Sequence, residues 1–346
     1  MGVDLKKFID PIKKEIDLKN LNGKIVAIDA FNTIYQFLAT IRQTDGTPLM
    51  NKEGKITSHL SGLFYRTINL IENGIKPVYV FDGRHPEFKR KEQERREEIK
   101  KKYEEKLIES IEKGETNLKR YAQATSKLTN ELIEESKELL FAMGVPVIQA
   151  PSEGEAEAAY LNKKGKVDFT GSQDYDSLLF GSFSLVRNLS IVGKRKIPGK
   201  NTYEEIKPEI IEKKKLLDYL KINEDQLIAL AMLIGTDYNP GGIRGIGPSK
   251  ALELIRQFKD DFEKLFKFVK WYDYFEYDWQ EIFNFFKNPP VVDYEIKFNK
   301  VDEEKIFEIM VERNDFNKER VKKYIEILKE NWEKKQATIL SFFKKR

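Results

Sequence analysis

Asp29, Asp82, the Glu153/Glu155 pair, the Asp174/Asp176 pair and Asp237 each stand where a patterned apolar segment gives way to a loop. Gathered carboxylates do one kind of chemistry well, because hard divalent cations prefer oxygen ligands. In an open parallel sheet, the residues that follow successive strands converge on the carboxyl edge although they are far apart in sequence. Acids brought together in this way repel one another, so the pattern predicts a pocket neutralised by Mg²⁺, with Mn²⁺ able to substitute. Individual alternatives stand beside that reading. Ser152 with Glu155 fits a helix capping box, Asp174 and Asp176 fit ordinary loop acids, and Glu157 is as near in sequence as Glu153 and Glu155.

Competing chemistries find little support. The chain has no cysteine and only two histidines, His59 and His85, which excludes thiolate-held zinc, iron–sulfur clusters and disulfides and leaves little for a Cys/His or Ser/His nucleophile. Gly242 to Lys250 (GIRGIGPSK) places Pro248 where a phosphate loop needs lysine, and Gly245/Gly247 lack the third glycine of a dinucleotide fingerprint. A haloacid-type phosphatase would want a second aspartate two residues after Asp29, where Phe31 stands.

The elements that must position the acids follow from periodicity. Lys24 to Asp29 (KIVAID) and Pro77 to Asp82 (PVYVFD) are short, β-branched and bounded by Gly or Pro, as strands buried on both faces should be. Ser58 to Asn73 between them has apolar residues at helical spacing, and the alternation resumes with Val145–Gln149, a helix over Ser152–Lys163 and Val167–Gly171. The expected fold is α/β, a mainly parallel central sheet flanked by helices. Residues 89 to 121 are dense in Lys, Arg and Glu with almost no apolar periodicity, which predicts a poorly buried helix. Further on, helices over Asn223–Ile234 and Pro248–Gln257 flank a glycine-rich turn, and the aromatic stretch Trp271–Phe286 reads as packing core.

Two segments suggest partners. Gly245-Ile246-Gly247-Pro248 opens a helix with Pro at its first position, where backbone N–H groups, Arg244 and Lys250 can grip a phosphate without reading sequence. Near the C-terminus, Gln336, Ile339, Phe342 and Phe343 set apolar anchors on one side of a short segment, suited to a partner's groove.

The net charge of +4, from 61 basic and 57 acidic residues, says little by itself. The 34% of charged residues and the absence of cysteine are compatible with heat adaptation. Met1 to Asp10 lacks the apolar core of a signal peptide, and no apolar run approaches the ~20 residues of a spanning helix, so the expectation is a soluble, intracellular protein.

Taken together these residues resemble the flap endonuclease family, essentially from Gly2 to Phe343. The pieces that carry the resemblance are VAIDA at 26–30, FYRT at 64–67, GIKPVYVFDG at 74–83, APSEGEAEAAY at 150–160, SQDYDSLLFG at 172–181, and IGTDYN with GIRGIGP between 234 and 248. The resemblance implies a two-metal site, with Asp29, Asp82, Glu153 and Glu155 around one ion and Asp174, Asp176 and Asp237 around the other, and it sets Glu157 aside. It also implies a structure-specific 5′ flap endonuclease with 5′–3′ exonuclease activity, serving Okazaki fragment processing and repair. Lys89 and Arg96 match the family's phosphate-activating cations on its helical arch. Tyr35 matches its stacking tyrosine, and Arg42 and Arg66 would contact DNA backbone. The glycine hairpin is similar to the family's duplex grip, which K⁺ assists, and the tail is similar to its sliding-clamp peptide. The short C-terminus resembles archaeal members, whose DNA would lie in the cytoplasm or nucleoid.

That resemblance divides the chain into an N-terminal nuclease part (1–98), an arch (89–128), and an internal nuclease part (116–258) carrying a helix-hairpin-helix element near 235–257. A C-terminal region packing on the core (259–335) and a clamp-binding tail (336–346) complete it. One departure is an extra residue in Asn239-Pro240-Gly241-Gly242 ahead of the hairpin; another is Arg84-His85 after the Asp82-Gly83 signature. The rival readings are a plain 5′–3′ exonuclease of the same chemistry and a non-catalytic, clamp-tethered binder of DNA junctions.

Overall fold

A computed structural model describes residues 2–43, 46–84, 86, 89, 98, 128–189, 193–196 and 203–343; side chains are described outside 193–196, 203–205 and 333–343. Its frame is a seven-stranded sheet. The strands are β1 (Lys14–Glu15), β2 (Ile25–Asp29), β3 (Lys76–Phe81), β4 (Val147–Gln149), β5 (Phe169–Gly171), β6 (Ser184–Arg187) and, after the separate hairpin β7 (Gly193–Lys196) and β8 (Tyr203–Ile206), β9 (Glu209–Glu212). Their spatial order is β1-β9-β6-β5-β2-β3-β4. β4, β3, β2, β5 and β6 run parallel, while β9 and β1 add antiparallel pairs at one side.

β2 shows why this sheet is parallel and covered. Val26 and Ile28 join a core with the helices of one face, while Ala27 packs with Val78, Val80, Ala158 and Leu161 on the other. Side chains alternate across a strand, so a run of apolar residues needs a layer on each side. One layer contains α1 (Ala30–Thr40), α2 (Ser58–Glu72), α3 (Asn130–Ala142) and the start of the C-terminal helix Lys318–Phe343. The other contains α4 (Gly154–Lys163), α5 (Asp176–Leu179), α6 (Glu224–Ile234) and α7 (Pro248–Phe258).

The aromatic stretch is core: Trp271, Trp279, Phe283 and Phe286 are buried, and Phe266 stacks on Trp279 at 4.6 Å, although Tyr272 and Tyr274 face solvent. β4 and β5 begin two residues later than periodicity suggests. At β4 the Val145 N–H still closes α3 onto the Leu140 carbonyl, and before β5 the Asp168 carboxylate receives Lys24 Nζ and the Ile25 N–H.

The charged run expected to form an arch, Arg96 included, lies outside the described residues apart from Lys89 and Glu98. The backbone helix Lys318–Phe343 passes through Gln336, Ile339, Phe342 and Phe343, whose side chains are likewise outside the description. Among the described residues, no helix is long and apolar enough to cross a membrane.

Candidate active site

Asp29 ends β2 and caps α1: its Oδ1 accepts the Asn32 N–H at 3.0 Å. Asp82 follows β3, and its Oδ1 accepts the N–H of Gly154, the first residue of α4, at 2.6 Å. A Cβ on Gly154 would stand 2.8 Å from that oxygen, so the approach requires glycine. Backbone bonds from Gly83 to Ser152 and from Arg84 to Pro151 fasten the two loops together. Acids gathered at a helix N-terminus also gain from the exposed N–H dipoles.

The helix that carries Glu153 and Glu155 begins differently from the capping-box alternative. Its N-cap is Glu153, without a side-chain cap bond, and Ser152 is buried outside the helix. Glu155 is therefore not explained as a capping partner. Glu157, two residues on, faces away: Oε2 accepts the Val292 N–H at 2.9 Å, and burial first, then the Asp293 charge, push its pKa up to about 7.

Asp174 and Asp176 follow β5. Asp174 Oδ2 accepts Asn32 Nδ2 at 3.0 Å, and the Asp174 N–H donates to Ser172 Oγ at 3.1 Å. Asp176 Oδ1 accepts the Val3 N–H at 2.8 Å, which brings the N-terminal segment into the site. Asp237 sits in the turn after α6, where the buried Asn239 side chain accepts from Thr236 and donates to the Met232 carbonyl.

The electrostatics show that these acids share one basin. Burial raises the Asp29 carboxyl well above its usual range, and Asp82 and Asp174 raise it further against the Asn32 N–H. Burial likewise raises Glu155, helped by Asp176, Asp29 and Asp174, while Ser172 opposes. Asp176 is pushed up to about 7 by burial, Asp237 and Asp174. Lys89 is the described cation among them: Nζ lies 2.5 Å from Glu153 Oε2 and 5.7 Å from the centre of the buried Tyr238 ring. Burial by itself would lower the Lys89 pKa, but Glu153, Asp82 and Asp237 outweigh it and raise it.

The donor set suits hard divalent ions. It is all oxygen, it is mutually repulsive, and Glu155 Oε1 is buried without a hydrogen-bond partner. Among the described residues, no three acidic or histidine side chains already close around one point as a finished cage. His59 takes no part. It is fully buried and pairs with Glu135 at 3.1 Å, and His85 lies outside the described residues.

The residues expected to touch nucleic acid lie at other positions on the surface. Tyr35 is 40% exposed on α1, and Arg66 is exposed on α2. Arg42 is partly committed to its own loop, donating from Nη1 to the Gly46 carbonyl at 2.9 Å and from Nε to Ala39 at 3.2 Å. Arg244, Gly245, Gly247 and Lys250 are all exposed at the link between α6 and α7. Gly245 has φ +80°, which favours glycine, whereas Gly247 has an ordinary φ of −89° and open space where a Cβ would go. At the base of this link the Gly242 N–H donates to the Asn239 carbonyl and the Ile243 N–H to the Leu233 carbonyl.

Sequence reasoning overlooked Asn32, Ser172, Gly2/Val3 and Tyr238. Their signals were faint: an Asx residue three after Asp29, a hydroxyl two before Asp174, a glycine near the start, and the residue following Asp237.

The XPG N-terminal domain matches residues 1–103 and the XPG I-region matches residues 144–237. The chain is similar to Flap endonuclease 1 of Nanoarchaeum equitans (strain Kin4-M), 55% identical over 346 residues and covering 99% of each. It is also similar to Flap endonuclease 1 of Pyrococcus furiosus, 56% identical over 348 residues and covering 100% of each. Among solved structures, flap endonuclease-1 from Methanococcus jannaschii superposes with a TM-score of 0.74 at 40% identity, covering 96% of this chain and 100% of that one. The catalytic core of Rad2 in complex with DNA substrate gives 0.67 at 25% identity, covering 95% of this chain and 100% of that one.

Proposed function

This chain belongs to the flap endonuclease family, and on that premise we propose that its acidic basin holds two divalent ions, Mg²⁺ or Mn²⁺, for hydrolysis of DNA at 5′ flaps. It is a structure-specific 5′ flap nuclease acting on phosphodiester bonds, with roles in DNA replication and repair. The observation that carries the metal reading is the convergence of Asp29, Glu155, Asp174, Asp176 and Asp237 into one mutually repelling group.

Asp29, Asp82, Glu153 and Glu155 would hold one ion and Asp174, Asp176 and Asp237 the other. When bound, such ions supply a water activated for attack and compensation for charge on the leaving 3′ oxygen. The chain's own part is to orient and to neutralise. Lys89, buried beside Glu153, would offset charge that develops on the phosphoryl oxygens, and Arg96 would be its partner in that role. Tyr35 would stack on the terminal nucleotide, and Arg42 and Arg66 would meet the sugar–phosphate backbone.

Arg244, Gly245, Gly247 and Lys250 would grip the duplex. Gly247 has open space where a Cβ would go, so a nucleic-acid backbone could approach it closely at the start of α7. A K⁺ ion bound at this link would strengthen that grip. Gln336, Ile339, Phe342 and Phe343 would dock into a sliding clamp; removing residues 336–346 should leave flap cutting intact and abolish clamp binding.

One assay tests the central reading. End-labelled 5′-flap DNA and blunt duplex are incubated with Mg²⁺, then with chelator, using wild type and Asp82→Ala. The expected result is Mg²⁺-dependent cutting at the flap by wild type, and flap binding without cutting by the variant. Cutting in chelator would overturn the metal reading, and equal digestion of blunt duplex would favour a plain exonuclease.

A further inference from the structure

We propose that Asn32 is a positioning residue that links the two halves of the carboxylate basin and sets how tightly the second ion is held relative to the first. The inference rests on the reading of the basin as a divalent-ion site.

Asn32 lies in the first turn of α1, directly after β2, and reaches both groups of acids at once. Its backbone N–H donates to Asp29 Oδ1 at 3.0 Å, and its Nδ2 donates to Asp174 Oδ2 at 3.0 Å. β2 and β5 are adjacent and parallel, with Ile28 opposite Gly171, so the loops after them are neighbours. Asp29 and Asp174 are close enough to repel. A neutral amide between them lowers that repulsion with two donors and adds no charge of its own.

The two bonds differ in what they depend on. The bond to Asp29 comes from the backbone and survives any side-chain change that leaves α1 intact. The bond to Asp174 is made by the side chain alone. Asp174 is also held through its backbone by Ser172, but Asn32 Nδ2 is a side-chain donor on its carboxylate. A carboxylate whose lone pair is fixed by an outer donor presents its remaining lone pairs to a cation in a defined orientation, and losing such a partner typically costs metal affinity about 10- to 100-fold.

The test is calorimetric titration of Mn²⁺ into the full-length protein without DNA, comparing wild type, Asn32→Ala and Asn32→Ser. Serine keeps a small polar side chain that is too short to reach Asp174, and it serves should the alanine variant fail to fold. Melting temperature in chelator is recorded for each. The expected result is two Mn²⁺ sites in wild type, with one weakened about 10- to 100-fold in the variants and the other little changed. Melting in chelator should fall little.

Unchanged affinity at both sites would overturn the proposal. So would equal weakening of both sites with a marked drop in melting temperature, which is the signature of a merely structural residue. Wild type that takes up no Mn²⁺ would instead sink the underlying metal reading, and the inference with it.

Discussion

Lys89 Nζ stands 2.5 Å from Glu153 Oε2, and both side chains are buried. A buried pair of this kind is a doubtful source of stability, because desolvation offsets most of the attraction, yet it places a cation inside an acidic basin. Lys89→Ala should therefore slow cleavage of a 5′ flap by about 100- to 1,000-fold, the scale expected when a donor to developing charge is lost. Flap affinity, measured by fluorescence anisotropy in Ca²⁺, should change far less. Losses of equal size would reduce Lys89 to an electrostatic contact with DNA.

The Asp176 carboxyl, raised to about 7 from its usual 3.8 by burial, Asp237 and Asp174, makes stability depend on pH in a defined direction. Between those values the folded chain holds a proton that the unfolded chain has released. Stability must then fall as pH rises through the window. In chelator, melting temperature should drop between about pH 4 and about pH 7 and level off above that, and Mg²⁺ should restore it most at the upper end, where no proton has to be displaced. A melting temperature that rises with pH in chelator would contradict the assignment.

Asp176→Asn takes one charge out of the basin while its amide oxygen can still accept the Val3 N–H. It should melt higher than wild type in chelator and cut nothing in Mg²⁺, because the site trades stability for function. Lower melting in chelator would show that the carboxylates do not strain the fold.

At Gly2 a Cβ would stand 2.5 Å from Asp176 Oδ1. Gly2→Ala should displace that carboxylate and lower the cleavage rate by about 10- to 100-fold, since misplacements of about 1 Å are felt on that scale. Single-turnover kinetics should show the loss in the chemical step. Wild-type rates would mean that the N-terminal segment can move aside at no cost.

Glu157→Gln is the control among the acids. Its carboxylate receives the Val292 N–H, a bond that an amide oxygen also accepts, and it faces away from the basin. Mn²⁺ binding and flap cutting should both remain near wild type. A tenfold loss in either would bring Glu157 back as a ligand.

Much of this was written in the sequence. IVAID and PVYVFD are apolar on both faces and end in aspartate, which was enough to place Asp29 and Asp82 at strand ends and to expect a parallel sheet covered by helices. Glycine before Pro248 was enough to place the turn into α7. Local pattern decides such features, because propensity and periodicity act over a few residues.

What the sequence left open is which acids face one another. Glu153, Glu155 and Glu157 are spaced alike, and the start of α4 at Gly154 together with the Val292 N–H separates them. The same holds for Asn32 on Asp174 and Val3 on Asp176, pairs 142 and 173 residues apart. Contacts at that separation are made by strand order and loop placement. Hydrogen-bond geometry and charge repulsion act through space, so chain spacing fixed the inventory of acids and the tertiary fold alone decided their partners.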